Sequence, residues 1–335
     1  MFSKDIGIDL GTATIRIYVK GRGIVINEPA VVAIDKNTKK NIAFGQQAYE
    51  MIGRTSENIK VLYPMQYGFI ADFELACAML SHFLNQILGK SLLSRPRIVI
   101  CCPAHTTRVE QNVIRQVVEL SGGKQISIKI EPKVAAIGAG IDSSQPAGHM
   151  IIDIGAGTTD ATVLSMGDIV SFETTNTAGK AFDEQIIQHI KKHHHMYVGE
   201  RTAEQVKKDI GLVLPSDEKP RAIAIHGRDL GTGFPKTLMI TAEEINKALH
   251  PPIRKIVHTA KTVVEKTPPE LVTDIMDHGI ILIGGGALLP GIDTLLSEEL
   301  NAPVFIAKNP LTCIAIGTSI LLEKKGTTPI HYTMS

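Results

Sequence analysis

The sequence predicts an α/β fold made of two duplicated domains, and three observations carry that expectation. A strand-and-small-residue pattern occurs twice, at Ile6-Gly7-Ile8-Asp9-Leu10-Gly11-Thr12-Ala13-Thr14 and at Ile151-Ile152-Asp153-Ile154-Gly155-Ala156-Gly157-Thr158-Thr159-Asp160, with Asp9 and Asp153 144 residues apart. Each half then alternates short apolar runs with segments of helical spacing. The 335 residues exceed what one core usually serves, and an apolar content of 44% supplies two.

Each copy reads as strand, turn and second strand, because apolar and β-branched residues resume after the turn: Ile15, Ile17 and Val19 in one, Ala161, Val163 and Leu164 in the other. Either copy alone is also an ordinary hairpin with a small-residue turn. Matched Asp, Gly and Thr offsets in both halves favour a duplicated clamp for a polyphosphate. Small residues let backbone N–H groups approach an anion, and a strand-end Asp can hold a hydrated divalent cation.

Further along, Gly23–Ile26 and Ala30–Ile34 are expected strands separated by Asn27-Glu28-Pro29. A helix is expected at Phe73–Leu88, a strand at Ile98–Cys102, and a helix at Thr107–Ser121 with Val109, Val113, Val117 and Leu120 as its apolar positions. The second half offers a strand at Ile169–Phe172, helices near Lys180–His195 and Thr202–Ile210, and strands at Ala222–Ile225 and Thr237–Ile240. A helical stretch near Ala242–Glu265 precedes the buried strand Ile280–Ile283. The expected division is 1–145 for the first domain, with 33–64 as its small outer part, 146–320 for the second, with 180–250 as its outer part, and 321–335 as a terminal segment.

Strand Ile280–Ile283 runs into Gly284-Gly285-Gly286, read as the opening of a helix against which a phosphate or a flat base could lie; a simple tight turn is the other reading. Gly89-Lys90-Ser91 resembles the end of a phosphate loop, but Leu84 stands where that loop needs its first Gly. No strand is followed by a dinucleotide-binding Gly pattern.

Lys and Arg (35) balance Asp and Glu (34), which argues against nucleic acid as a partner. Cys77, Cys101, Cys102 and Cys313 lack metal-ligand spacing and read as buried thiols in a reducing compartment. The start Met1-Phe2-Ser3-Lys4-Asp5 enters the first strand without a signal-like segment, and no apolar run reaches the roughly 18 residues a bilayer span requires. A cytoplasmic protein is expected. His193-His194-His195, with His189 before them, point to different helix faces and read as a solvated helix end.

These residues resemble the actin and Hsp70-type ATPase superfamily, and within it the MreB family of bacterial actins, over essentially the whole chain. The resemblance rests on Asp5–Ala13, Asn27-Glu28-Pro29, Met51–Thr55, Ile70-Ala71-Asp72, Gly199–Glu204, Lys266–Leu271 and Gly284-Gly285-Gly286. Cys101-Cys102-Pro103, Ser121–Lys124 and Glu131–Gly138 look most like the MreB-like (Mbl) branch.

The resemblance implies an ATPase of the actin fold, with four subdomains around a central nucleotide cleft and with ATP and Mg²⁺ as cofactors. It also implies self-assembly into paired protofilaments at the inner face of the cell membrane, where cell-wall elongation proteins are partners in setting rod shape. Carried onto matching positions, Asp9 and Asp153 would hold Mg²⁺ through water, and Gly11, Thr12, Ala13, Gly155, Ala156 and Gly157 would bracket the phosphates. Glu131 would orient the attacking water, with Thr158 assisting. Glu204 and Lys207 would face ribose and adenine, and Gly284, Gly285 and Gly286 would touch the nucleotide from the other side. The bland reading of Glu131 is a surface loop acid, and that of Glu204 and Lys207 a solvated ion pair.

The chain departs from the family pattern at Thr14, Arg16, Ile130, Ala156 and Lys180, which makes slow turnover an expectation. Leu92-Leu93, flanked by Lys90, Arg95 and Arg97, match the family's membrane loop, where two apolar side chains enter the headgroup boundary beside cations; closing a helix onto the core is the alternative. Three other functions compete. A chaperone-like ATPase would need a peptide-binding domain beyond the triple glycine, and a monomeric sugar-kinase-like enzyme would need a substrate insert with a base. A nucleotide-binding scaffold with little hydrolysis is kept open by Ala156.

Overall fold

The computed structural model describes residues 5–89, 96–214 and 222–323. Within them the chain forms two compact units, one of 5–51, 55–89, 96–142 and 312–323, the other of 52–54, 143–214 and 222–311. Leu92 and Leu93 lie outside the described residues.

The first unit contains strands β1 (Asp5–Leu10), β2 (Thr14–Val19), β3 (Gly23–Pro29), β4 (Val32–Asp35), β5 (Asn41–Phe44), β6 (Ile59–Leu62), β7 (Met65–Gln66), β8 (Phe69–Ile70), β9 (Arg97–Cys102) and β10 (Gln125–Ile130). Its helices are α1 (Gly45–Glu50), α2 (Phe73–Leu88), α3 (Arg108–Leu120) and α4 (Glu131–Ala139). The main sheet runs β10-β9-β1-β2-β3, with β1, β9 and β10 parallel and β1, β2 and β3 joined antiparallel. Alternation along β2 buries Ile15, Ile17 and Val19, which meet Met79, Leu80 and Leu84 of α2 in one core. A smaller sheet, β5-β4-β6, packs its own cluster of Val31, Ala33, Ala43 and Ala48.

The second unit contains β11 (His149–Ile154), β12 (Thr159–Ser165), β13 (Asp168–Thr175), β14 (Met196–Tyr197), β15 (Ala222–Asp229), β16 (Pro235–Thr241), β17 (Ile280–Ile283) and β18 (Val304–Ile306). Its helices are α5 (Gly179–His194), α6 (Glu200–Ile210), α7 (Ala242–Lys266), α8 (Pro269–His278) and α9 (Ile292–Leu300). The main sheet runs β13-β12-β11-β17-β18, with β11, β17 and β18 parallel and β11, β12 and β13 antiparallel. This is the connectivity of the first sheet repeated. Each unit thus starts with a three-strand meander whose first strand is extended by two parallel strands. A three-stranded sheet, β14-β15-β16, accompanies it.

Several elements differ from the sequence expectation. Asn27-Glu28-Pro29 does not break the chain: β3 continues to Pro29, and Glu28 Oε2 accepts a bond from the Gln46 N–H at 2.7 Å. The next strand therefore begins at Val32. On α3 Val117 is buried as expected, together with Ile114 and Val118, while Val109 and Leu120 are exposed, so the buried stripe is rotated from the one that Val109, Val113, Val117 and Leu120 suggested. Thr107 closes the start of α3 with a capping box to Glu110. Cys101, Cys102 and Cys313 are buried thiols, but Cys77 is only half-buried.

Helix α10 (Cys313–Glu323) belongs to the first unit, although residues up to 320 were expected with the second. Small residues explain its placement. A Cβ on Gly138 of α4 would stand 1.8 Å from the Cys313 carbonyl oxygen, and one on Gly317 would stand 2.0 Å from that of Val134, so the two helices cross backbone to backbone. Gly7 on β1 admits Thr318 of α10 in the same way.

Candidate functional site

The two hairpins close identically. Gly11 N donates to Thr14 O at 3.0 Å between β1 and β2, and Gly155 N donates to Thr158 O at 2.9 Å between β11 and β12. Each turn is fixed further by its own unit. In the first, the Thr12 hydroxyl accepts from the Gly68 N–H at 3.0 Å, and Ala13 O accepts from Ala30 N at 2.9 Å. In the second, the start of α5 meets the turn, with Gly179 N on Gly155 O at 3.1 Å and Lys180 N on Ala156 O at 2.8 Å. A helix N-terminus carries partial positive charge, so its position against the Gly155–Ala156 turn favours an anion there.

Asp9 is 6% exposed, one residue before the end of β1. Cross-strand register places it opposite Arg16, whose Nη1 lies 3.3 Å from Asp9 Oδ2. Burial pushes the Asp9 carboxyl above its ordinary range despite the opposing Arg16 charge. Arg16 Nε is itself buried without a hydrogen-bond partner. The corresponding position in the second unit pairs Asp153 with Asp160, and Asp160 accepts from the Thr174 hydroxyl at 2.6 Å. The departure at Arg16 therefore has a structural consequence: one hairpin balances its strand-end carboxylate internally, while the other sets two carboxylates opposite each other.

Glu131 is the first residue of α4, at the C-terminal end of β10, and half-buried, not in a surface loop. Its charge and that of Asp9 both raise the Cys101 thiol, which burial raises most, so both carboxylates lie near Cys101 at the C-terminal ends of the parallel strands β1, β9 and β10. The carboxyl ends of parallel strands are where open α/β sheets bind ligands.

In the second unit Gly284 has φ +83°, and a Cβ there would stand 2.3 Å from Asp153 Oδ1; one on Gly286 would stand 2.1 Å from Ile154 Cγ2. Both glycines are thus required for close packing onto β11, whereas Gly285 is exposed, and a Cβ there would meet the Leu311 side chain at an ordinary 3.7 Å. The turn opens a short helical segment, Gly285–Leu288, of the 3₁₀ kind.

Lys207 and Glu204 part company on α6. Lys207 Nζ donates to Gly179 O at 2.9 Å and pairs with Asp183 at 2.8 Å, tying α6 to the first turn of α5. Glu204 pairs with Lys208 at 2.6 Å, not with Lys207. Burial pushes Asp183 up to about 6, against the pull of Lys207 and with Glu204 and Glu200 adding to the rise. Asp183 and its Lys207 contact are residues that sequence reasoning missed, because the pair joins two helices. Desolvation likewise lowers Lys180, opposed by Glu200, Asp183, Glu184 and Glu204.

A meander extended by parallel strands, repeated in both units with a carboxylate and small-residue turn at the head of each, defines the actin-like class. Solved structures agree. MreB5 of Spiroplasma citri bound to AMPPNP aligns with TM-score 0.92 and 38% identity, covering 96% of each chain, and the same protein bound to ADP gives 0.91. A MamK double helical filament aligns at 0.81 over 97% of this chain and 100% of that one, a likeness of fold at 21% identity. The family model for MreB/Mbl protein matches residues 3–329, and the chain belongs to that family. Its relatives include the cell shape-determining protein Mbl of Bacillus subtilis, 50% identical over 98% of both chains, and that of Bacillus cereus, 53% identical over 96% of this chain and 97% of the other. The cell shape-determining protein MreB of Escherichia coli is 43% identical over 96% and 94%.

Proposed function

We propose that this chain is an ATP-dependent, filament-forming cytoskeletal protein that works at the inner face of the cell membrane and organises cell-wall elongation proteins to set cell shape. The observation that carries the reading is the twice-built turn, closed by the same N–H···O bond in both units, in a chain 38% identical to a protein solved with AMPPNP and with ADP. Thr12 and Ala13 from one hairpin and Ala156 and Gly157 from the other offer backbone N–H groups to phosphate oxygens, while Gly11 and Gly155, whose own N–H groups close the turns, bracket the phosphates with their small backbones. Gly285 leaves open backbone for the nucleoside, and Glu204 and Lys207 of α6 face its ribose and adenine from the opposite side.

The residues fit a divalent cation: Asp9 is a buried carboxylate with the Arg16 guanidinium 3.3 Å away, and Asp153 stands one residue before the end of the matching strand. Asp9 and Asp153 would hold Mg²⁺ through water, where the ion neutralises phosphate charge. Glu131, half-buried at the start of α4, accepts a hydrogen bond from water and so orients it for attack, with the Thr158 hydroxyl as a second anchor.

No helix among the described residues is long and apolar enough to cross a membrane. Membrane contact is assigned to Leu92 and Leu93, and filament avidity raises the effect of one weak loop by about a hundredfold or more. The test is electron microscopy on anionic lipid with Mg-ATP, Mg-ADP or no nucleotide, with phosphate release of the wild type and of Glu131→Ala in parallel. Nucleotide-dependent paired filaments, with release lost and ATP binding kept in the variant, are expected. Monomers under all conditions, or unchanged release, would overturn the reading.

A further inference from the structure

The histidines at the end of α5 are not simply a solvated helix end. His193 and His195 are exposed, but His189 and His194 are half-buried and turned towards α7. His194 Nε2 lies 2.8 Å from Glu244 Oε1, and the His189 ring sits 4.5 Å from that of His193 and 6.3 Å from that of His194, centroid to centroid. One ligating atom each from His189, His194 and Glu244 falls within 4.8 Å of the others.

Glu244 is held for this arrangement by its second oxygen. Oε2 accepts from the Thr241 N–H and hydroxyl, both at 3.0 Å, in the capping box of α7. The carboxylate is therefore fixed in rotation while Oε1 faces the imidazoles. Lys236 Nζ donates to His194 O at 2.9 Å, anchoring the last turn of α5 from β16.

We propose that His189, His194 and Glu244 form a site for a borderline divalent transition metal of the Zn²⁺ class. Two imidazoles and a carboxylate are a nitrogen-rich set that suits Zn²⁺ over Mg²⁺ or Ca²⁺, with a fourth position left for water. A tetrahedral ion with ligands at about 2.0–2.1 Å sets them about 3.4 Å apart, so closing from the present spacing needs side-chain rotation of about 1 Å.

The position gives the ion a definite role. His194 ends α5 immediately before the chain enters β14 through His195, and Glu244 lies in the first turn of α7 immediately after the chain leaves β16. A metal bridging them staples the entry and exit of the small sheet β14-β15-β16. It would hold that sheet to the helices of its own unit independently of nucleotide.

The test uses untagged full-length protein stripped with a chelator, titrated calorimetrically with Zn²⁺ and spectroscopically with Co²⁺. One ion per chain is expected, with the visible bands of a four-coordinate nitrogen and oxygen site and a higher thermal midpoint in Zn²⁺. Glu244→Gln, which keeps the size of the capping side chain, and His189→Ala should each weaken binding by about tenfold or more and abolish the thermal shift, with far-UV circular dichroism unchanged. Absence of stoichiometric binding would overturn the site. So would wild-type affinity in His189→Ala, or loss of binding only in His193→Ala or His195→Ala, which would place the ion on the solvated surface instead.

Discussion

Gly138→Ala separates two lines of reasoning by sign. Gly138 lies inside α4, where helix propensity alone makes Ala better than Gly by about 1 kcal/mol. The α4–α10 crossing predicts the reverse. The added Cβ would stand 1.8 Å from Cys313 O and 2.9 Å from Gly317 N, against ordinary contact from 3.4 Å, so the helices must separate by about 1.6 Å. Both nearest groups are backbone and cannot rotate away. Overpacking of this kind costs about 1–3 kcal/mol, with larger losses where the obstacle is rigid, and the expected net is a loss of about 2 kcal/mol. Glu131 begins the displaced helix, so phosphate release should fall as well. Urea unfolding followed by far-UV circular dichroism measures the stability, since the chain has no Trp for fluorescence. Gly199→Ala is the control: at φ −82° with nothing within 4 Å of its Cβ, it should shift stability by less than about 1 kcal/mol. A Gly138→Ala variant as stable as the wild type, or more so, would refute the backbone-to-backbone crossing.

Two further expectations concern buried charge. Arg16→Ala leaves Asp9 buried beside no cation and should cost about 3 kcal/mol; adding Asp9→Asn should recover part of that, a coupling read from a double-mutant cycle, and simple additivity would argue against the pair. Asp183 keeps its proton in the folded state up to about 6 but only to 3.8 as a free group, so it lowers stability as pH rises between about 4 and 6, by at most about 3 kcal/mol. Asp183→Asn cannot titrate. The wild type should lose stability relative to this variant across that window and run parallel to it above about pH 7, as followed by denaturation at each pH; a constant difference from pH 4 to 7 would refute the assignment.

The duplication was legible because it is written in local order. A strand buried along most of its length, an Asp near its end and a small-residue turn occupy adjacent residues, so Asp9 with Gly11 and Asp153 with Gly155 could be found by matching offsets. The same holds for α2 and β9, whose limits follow from apolar periodicity. Where two faces compete, local order is insufficient. On α3 a stripe through Val109, Val113, Val117 and Leu120 and one through Ile114, Val117 and Val118 both have helical spacing, and only packing against α2 and the sheet decides which is buried.

By itself, then, the sequence determined the α/β class, the two matched turns and the residues at their heads, since each depends on contacts within a few residues. Tertiary structure alone decided which partners those residues meet. Arg16 faces Asp9 through strand register; Lys207 bypasses Glu204 for Asp183 on another helix; Glu244 reaches His194 across 50 residues of chain. It also decided that α10 returns to the first unit, because the fit of Gly138 and Gly317 exists only once both helices are in place. Such pairings depend on desolvation and close packing, which act between surfaces that folding brings together and leave no spacing in the linear sequence.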